Sequence, residues 1–242
     1  MNTLTLYTVG TEQPDTFLVY WSNSIKRTPN ALKVQIKAQI EDKNIAAELS
    51  AMQHLLEVKN VLGENSLGNP NMKLTVSLGA IRKLHHQQSD KVHLIRYANF
   101  LTTRFAGSVI NVDKDQHWFK DAHIGTIESL VIDTPRLETI QVVGLGEVGI
   151  TKHVLDRLGE RVLEDPTPQG AWKRLVKIAS DRSIVEVARQ AKWSPRNGQE
   201  GRYFMSATRK LVLIVTDKLG EGKRLVTTYP ANHQFCAMRK AA

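Results

Sequence analysis

Apolar residues along the first third of the chain fall at a spacing of two. Leu4-Thr5-Leu6-Tyr7 alternates, Phe17-Leu18-Val19-Tyr20-Trp21 follows a polar turn, and residues 31–40 (ALKVQIKAQI) alternate throughout, so three strands are expected. The period changes after the polar break at residues 41–44. Ile45, Leu49, Met52, Leu55, Leu56 and Leu62 recur at helical spacing, with Asp42 or Asn44 placed to cap the helix. Residues 65–71, rich in Gly, Asn and Pro, read as a loop. A short strand over 73–77 follows, then a helical stretch from Gly79 broken near Ser89-Asp90, a second helix over Val92–Phe105, a strand over 108–112 and a last helix over Asp121–Val131.

A domain boundary is expected near Asp133-Thr134-Pro135, giving domains of 1–133 and 140–242. Beyond it Thr139–Val143 reads as a strand, and Thr151 is a good N-cap for KHVLDRLGERVL. Pro166 and Pro168 break the chain before a second helix over Ala171–Ala179, and WSPRNGQEG (193–201) is a loop. Three strand-like runs close the sequence, Arg202–Ser206, Lys210–Thr216 and Arg224–Tyr229, the last two joined as a hairpin around Lys218–Gly222. The expected class is α+β: an N-terminal mixed sheet with helices, then a small antiparallel sheet packed on the helices that precede it.

Composition narrows the function more than the fold. No run of apolar residues is long enough for a membrane-spanning helix, and the first residues do not read as a signal peptide, so no membrane partner is expected. The single cysteine, Cys236, has no internal disulfide partner, which fits a cytoplasmic or virion-side setting. No CxxC, HxxxH or HExxH spacing occurs, so neither a metal site nor another cofactor is expected. The net charge of +9 is uneven: residues 140–242 hold 18 Lys+Arg against 10 Asp+Glu, the first 139 hold 15 against 14. A basic C-terminal half is what a domain meeting a polyanion needs, although a basic solvated surface would look the same in composition.

The order of elements over residues 3–131, with the AEL opening of the first helix, resembles the ribonuclease H fold. The resemblance implies that Glu48 stands at the family's metal-binding glutamate and that Asp121 matches its final carboxylate. A family member would carry an aspartate in the first strand and another at the end of the fourth. In Thr8-Val9-Gly10-Thr11 and Val76-Ser77-Leu78-Gly79, Val9 and Leu78 take those places. Two-metal phosphoryl transfer needs several carboxylates around the ions, so the resemblance implies a ribonuclease H shape without its chemistry, serving to dock or hold a substrate.

The phrase Ile150-Thr151-Lys152-His153-Val154-Leu155-Asp156-Arg157-Leu158-Gly159-Glu160-Arg161 resembles the ITxHAxxRxxER helix of small toxin-like ribonucleases of the Barnase–EndoU–colicin–RelE group. KLVLIVTDKLGEGKRLVTTYP resembles that group's closing hairpin, and the likeness spans residues 147–233. It implies an endoribonuclease of phage or mobile-element type that works without metal. RNA is then the partner, and a ribosome or an inhibitor protein fits the same setting. The residues support such chemistry by themselves. His153, Arg157 and Arg161 are four apart and share a helical face. An imidazole can take the proton of a ribose 2′-OH or return one to the leaving 5′-oxygen, giving a 2′,3′-cyclic phosphate, while guanidinium groups brace the charge on phosphorus. Tyr229 and Thr228 on the closing strand are the expected catalytic partners; Arg161, Arg202, Lys210 and His233 are expected to bind substrate. Alternation puts Thr227 and Tyr229 on one face and Thr228 on the other.

Two other readings compete. The same basic face would serve a non-catalytic nucleic-acid-binding protein. Gly144-x-Gly146-x-x-Gly149 after a strand, with Glu164 or Asp165 about twenty residues on, has the spacing of a dinucleotide-binding fingerprint and would suit an oxidoreductase fragment. The helix start at Thr151, beyond the third glycine, argues instead for a flexible junction feeding the helix.

Overall fold

The computed structural model describes residues 2–63, 67–120, 122–162, 167–188, 201–218 and 222–231. Asp121, Glu164, Asp165, His233, Cys236 and most of the expected 193–201 loop lie outside the described residues. The chain is α+β, with two six-stranded mixed sheets, and divides into compact units of Met1–Arg136 and Leu137–Ala242. Among the described residues no helix is long and apolar enough to cross a membrane.

In the first unit, β1 (Asn2–Gly10), β2 (Thr16–Asn23) and β3 (Asn30–Ile36) form an antiparallel meander. β4 (Met72–Val76) lies parallel to β1, β5 (Val109–Val112) parallel to β4, and β6 (Glu128–Ile132) parallel to β3. The sheet order is β5-β4-β1-β2-β3-β6. Alternation decides which face is dry: Leu4, Leu6, Val19, Val34, Leu74 and Val76 point to one side and pack on α1 (Lys43–Gln53), whose residues Ala46, Leu49 and Met52 are fully buried. α1 continues through a wider turn at His54–Val58, which buries Leu55 and Leu56 in the same core. Asp42 stands before α1 with φ 54°, yet makes no side-chain cap; its carboxylate goes to Lys91 Nζ at 2.7 Å and His93 Nε2 at 3.2 Å.

Two expected helices are not there. From Val92 to Phe105 the chain runs through tight turns and only a four-residue helix, α3 (Asn99–Thr102), beyond the seven-residue α2 (Gly79–His85). Leu94, Tyr97, Ala98, Leu101 and Phe105 are still buried, because successive tight turns repeat about as often as an α-helix. In place of a helix reaching Val131, residues 117–120 form a single turn, α4 (His117–Lys120), and 128–132 form strand β6, where the alternating Leu130 and Ile132 pack on the core. Gly68 and Gly107 let two turns touch: a Cβ at Gly68 would fall onto the backbone of Phe105. Gly68→Ala is therefore expected to lower stability by about 2 kcal/mol, measurable by urea denaturation.

The second unit begins with a hairpin of β7 (Thr139–Val142) and β8 (Gly146–Gly149). Two helices follow, α5 (Lys152–Val162) and α6 (Pro168–Ala179). Pro168 opens α6 instead of breaking the chain, with Thr167 Oγ1 accepting from Gly170 N at 3.1 Å as its cap. Then come β9 (Ile184–Val187), β10 (Arg202–Ser206), β11 (Leu211–Lys218) and β12 (Gly222–Pro230), antiparallel in succession. β12 also pairs in parallel with β8, so the sheet, ordered β7-β8-β12-β11-β10-β9, is larger than expected and mixed where a purely antiparallel one was expected. Strands β10 and β11 are buried on both faces: Tyr203, Met205 and Val212 on one, Phe204, Leu213 and Val215 on the other. The carboxylate of Asp181 ties the start of β9 to the β10–β11 turn, accepting from Ser183 N at 2.8 Å and from the hydroxyls of Ser206 and Thr208.

Candidate functional site

The site expected from sequence lies along α5 and β12. Gly149 at the end of β8 pairs with Arg224 near the start of β12, and Arg161 near the end of α5 reaches Thr228 and Tyr229 near the end of β12. The helix therefore runs alongside β12 in the same direction. Its apolar stripe, Val154, Leu155 and Leu158, is buried, which turns the basic residues between them outward.

Arg161 is the group that joins the two elements. Its Nη1 donates to the Thr228 carbonyl at 2.7 Å and to Thr227 Oγ1 at 3.3 Å, and its guanidinium lies 4.2 Å over the Tyr229 ring. Arg157, one turn earlier, donates to Glu160 at 2.7 Å, and Lys152 pairs with Asp156 at 2.7 Å. Such exposed pairs within a turn are each worth only a few tenths of a kcal/mol, roughly, so a phosphate can displace them. His153 is exposed and makes no hydrogen bond or ion pair among the described residues.

Several expected partners do not converge. His153 and Arg161 are eight residues apart, about 12 Å along the helix axis, so His153 lies by the β8 end of β12 and Tyr229 by the other. Thr228 is corrected as a catalytic residue: it is fully buried, and its Oγ1 has no hydrogen-bond partner among the described residues. Replacing it with the isosteric valine removes a hydroxyl that burial has stripped of water without compensation. Thr228→Val is expected to leave stability unchanged or raise it by up to about 1 kcal/mol, read as a higher denaturation midpoint. Arg202 is corrected as a substrate group. It lies two strands from β12, on the face opposite Tyr229, where Glu186 holds it at 2.8 and 3.2 Å and Phe204 lies 5.1 Å beneath it. Lys210 is exposed with φ 52°, in the turn that precedes β11, level with Ala231 and so near the Tyr229 end. His233 lies outside the described residues.

Comparison with protein-family models, with curated proteins and with solved structures returned no match. The chemistry therefore rests on the side chains themselves.

Lys223 and Arg224 were missed in the sequence. Lys223 Nζ donates to the Leu145 carbonyl at 2.5 Å, and Arg224 is brought by the β8–β12 pairing to within a turn of the α5 entry. No local spacing could reveal them, since the pairing joins residues 75 apart. The expected flexible junction is corrected: Gly144 and Gly146, at φ 77° and 80°, form the tight turn of the β7–β8 hairpin, so these glycines serve a strand reversal, and the arrangement is not the strand-to-helix phosphate loop of the competing GxGxxG reading either.

A second polar cluster surrounds Glu48, the residue that the sequence resemblance set at a metal-binding position. The carboxylate is fully buried; Oε1 accepts from Ser77 N at 2.7 Å, and Oε2 from Thr8 Oγ1 at 2.8 Å and Ser77 Oγ at 2.5 Å. Thr8 and Ser77, not Val9 and Leu78, are thus the residues on β1 and after β4 whose side chains meet Glu48, a correction of one position in each strand; Leu78 contributes its backbone N–H. Val9 faces the other side of the sheet and is partly exposed. Burial raises the Glu48 carboxyl above its ordinary value, against the hydrogen bonds from Ser77 and Thr8. These residues do not fit a metal pair: both oxygens of Glu48 are already taken by protein donors, and among the described residues no three His, Cys, Asp or Glu side chains group together.

Proposed function

We propose that the C-terminal unit is a metal-independent endoribonuclease in which His153 moves the proton. The observation that carries the reading is an exposed imidazole with no bond among the described residues, one turn from Arg157 on the outward face of α5. RNA supplies its 2′-OH as nucleophile. His153 takes that proton or returns one to the 5′-oxygen, and Arg157 leaves Glu160 to meet the phosphate. Arg161 and Tyr229, about 12 Å away, hold a neighbouring stretch of strand and not the reacting phosphate. Two helices followed by the β9–β12 meander support the likeness to the toxin-like ribonuclease group. The order β5-β4-β1-β2-β3, with its first three strands antiparallel and the next two parallel to β1, supports the ribonuclease H likeness of the N-terminal unit. Glu48 in its cage of hydroxyls supports that unit's being inactive.

A second reading, binding without cleavage, is favoured by the burial of Thr228 and the engagement of Arg161, which take away the partners expected to work with His153. Incubation of the purified protein with RNA in EDTA separates the two. Cleavage leaving 2′,3′-cyclic phosphate ends supports the first, and salt-sensitive binding without cleavage the second.

A further inference from the structure

The face of the N-terminal sheet turned away from α1 carries a chemistry that the core does not need. Strand pairing sets Tyr7 directly beside Tyr20; Lys33 on β3 pairs with Leu18, two positions along β2 from Tyr20, and Lys73 on β4 pairs with Thr3, four positions along β1 from Tyr7, so the four follow one diagonal across the face. All four are half-buried, and no strand position on this face from β5 across to β6 is Asp or Glu. Neither lysine makes an ion pair among the described residues. In the segment above, the carboxylates of Asp113 and Asp115 accept backbone N–H groups of Asp115 and His117.

Phe119 of α4 lies on this face. Its ring stacks on Tyr20 with centroids 4.2 Å apart and planes 17° apart, it meets Tyr7 at 5.2 Å, and Trp118 packs edge-on behind it, half-exposed. A near-parallel ring at this separation is how a nucleobase covers an aromatic side chain. Beyond Asp113, whose N–H donates to the Val76 carbonyl at 2.9 Å, the segment is held chiefly by the buried Phe119 ring: backbone hydrogen bonds of the described residues 114–127 are all local, and among the described residues one side-chain bond, Gln116 Nε2 to Tyr7 Oη at 2.5 Å, reaches the sheet.

We infer that this sheet face is a stacking surface for single-stranded nucleic acid, with Phe119 occupying the place of one base. Adjacent tyrosines supply two ring faces, Lys33 and Lys73 supply charge for the backbone on either side, and the lack of carboxylates leaves nothing on the strands to repel it. Displacing residues 114–120 uncovers both rings, so the segment competes with the strand for the same place. The inference rests on the RNA reading of the C-terminal unit for its choice of probe, and it gives the N-terminal unit a holding role.

The test uses the full chain carrying His153→Ala, so that no RNA is cut, and a fluorescein-labelled 12-nucleotide oligouridine followed by anisotropy. Adding Lys33→Glu with Lys73→Glu is expected to weaken binding about tenfold. Phe119→Ala is expected to tighten it about threefold or more, by vacating the stacked position. Bromouridine cross-links are expected on the peptide holding Tyr7 or Tyr20. Should Phe119→Ala fail to fold by circular dichroism, the lysine pair and the cross-links decide. Binding indifferent to the lysine pair, with cross-links confined to α5, overturns the sheet surface and leaves the C-terminal reading standing. Sensitivity to the lysine pair together with indifference to Arg157→Glu upholds the surface and removes α5 as the grip.

Discussion

His153→Ala is expected to reduce RNA cleavage in EDTA by about 100-fold or more, the usual loss when a positioned acid–base group is removed. The side chain is exposed and makes no bond among the described residues, so the fold should not notice: the thermal midpoint should stay within a degree or so of the parent. That pairing of results is the informative one. A large loss of rate without a loss of stability assigns chemistry to the imidazole, whereas an unchanged rate removes His153 from any mechanism. Arg157→Ala should cost less, because the guanidinium must first leave Glu160 at 2.7 Å before it can serve a phosphate. Single-turnover cleavage of a labelled RNA, with the product ends identified, measures both.

Glu48→Ala is expected to cost about 3 kcal/mol or more, because it strands the backbone N–H of Ser77 and opens a cavity between α1 and the sheet. Glu48→Gln should be far milder. Its carbonyl can take the Ser77 N–H, and the hydroxyls of Thr8 and Ser77 can turn to accept from its NH₂. The two also differ in pH dependence. Burial holds the folded-state pKa of Glu48 above the ordinary value of 4.5, so the folded protein binds this proton more tightly than the unfolded chain does. The contribution of Glu48 to stability is therefore full below about pH 4.5 and is lost as pH rises through the folded-state pKa. Glu48→Gln should remove that decline, so its advantage over the parent should grow with pH across this window. Urea denaturation at several pH values checks it; parallel curves for parent and Glu48→Gln would show that Glu48 does not titrate there.

The strands of the first unit were legible because Leu4, Leu6, Val19 and Val34 alternate with half-exposed residues on a sheet with one dry face. The last expected helix of that unit was misread because ESLVI is too short for its period to declare itself, and pairing with β3 made it a strand. The glycines of VVGLGEVG mark a turn in either reading, and only the partner strand told which turn it was. In the candidate site, the common face of His153, Arg157 and Arg161 was legible from helical spacing alone. Thr228 was not, since its burial depends on strands β8 and β11 on either side, and Glu48's partners were misjudged by one residue because a strand's register belongs to its neighbours.

By itself the amino-acid sequence determined the local periods, the concentration of positive charge beyond residue 140 and the basic face of α5, because these depend only on neighbours within a turn or two. The tertiary structure alone decided that Arg161 lies on Tyr229, that Thr8 and Ser77 enclose Glu48, and that Tyr7 and Tyr20 stand side by side under Phe119. Each of those contacts joins residues between 13 and 112 positions apart. Their closeness follows from hydrogen-bonded strand register and the packing of helices on sheets, which no local spacing encodes.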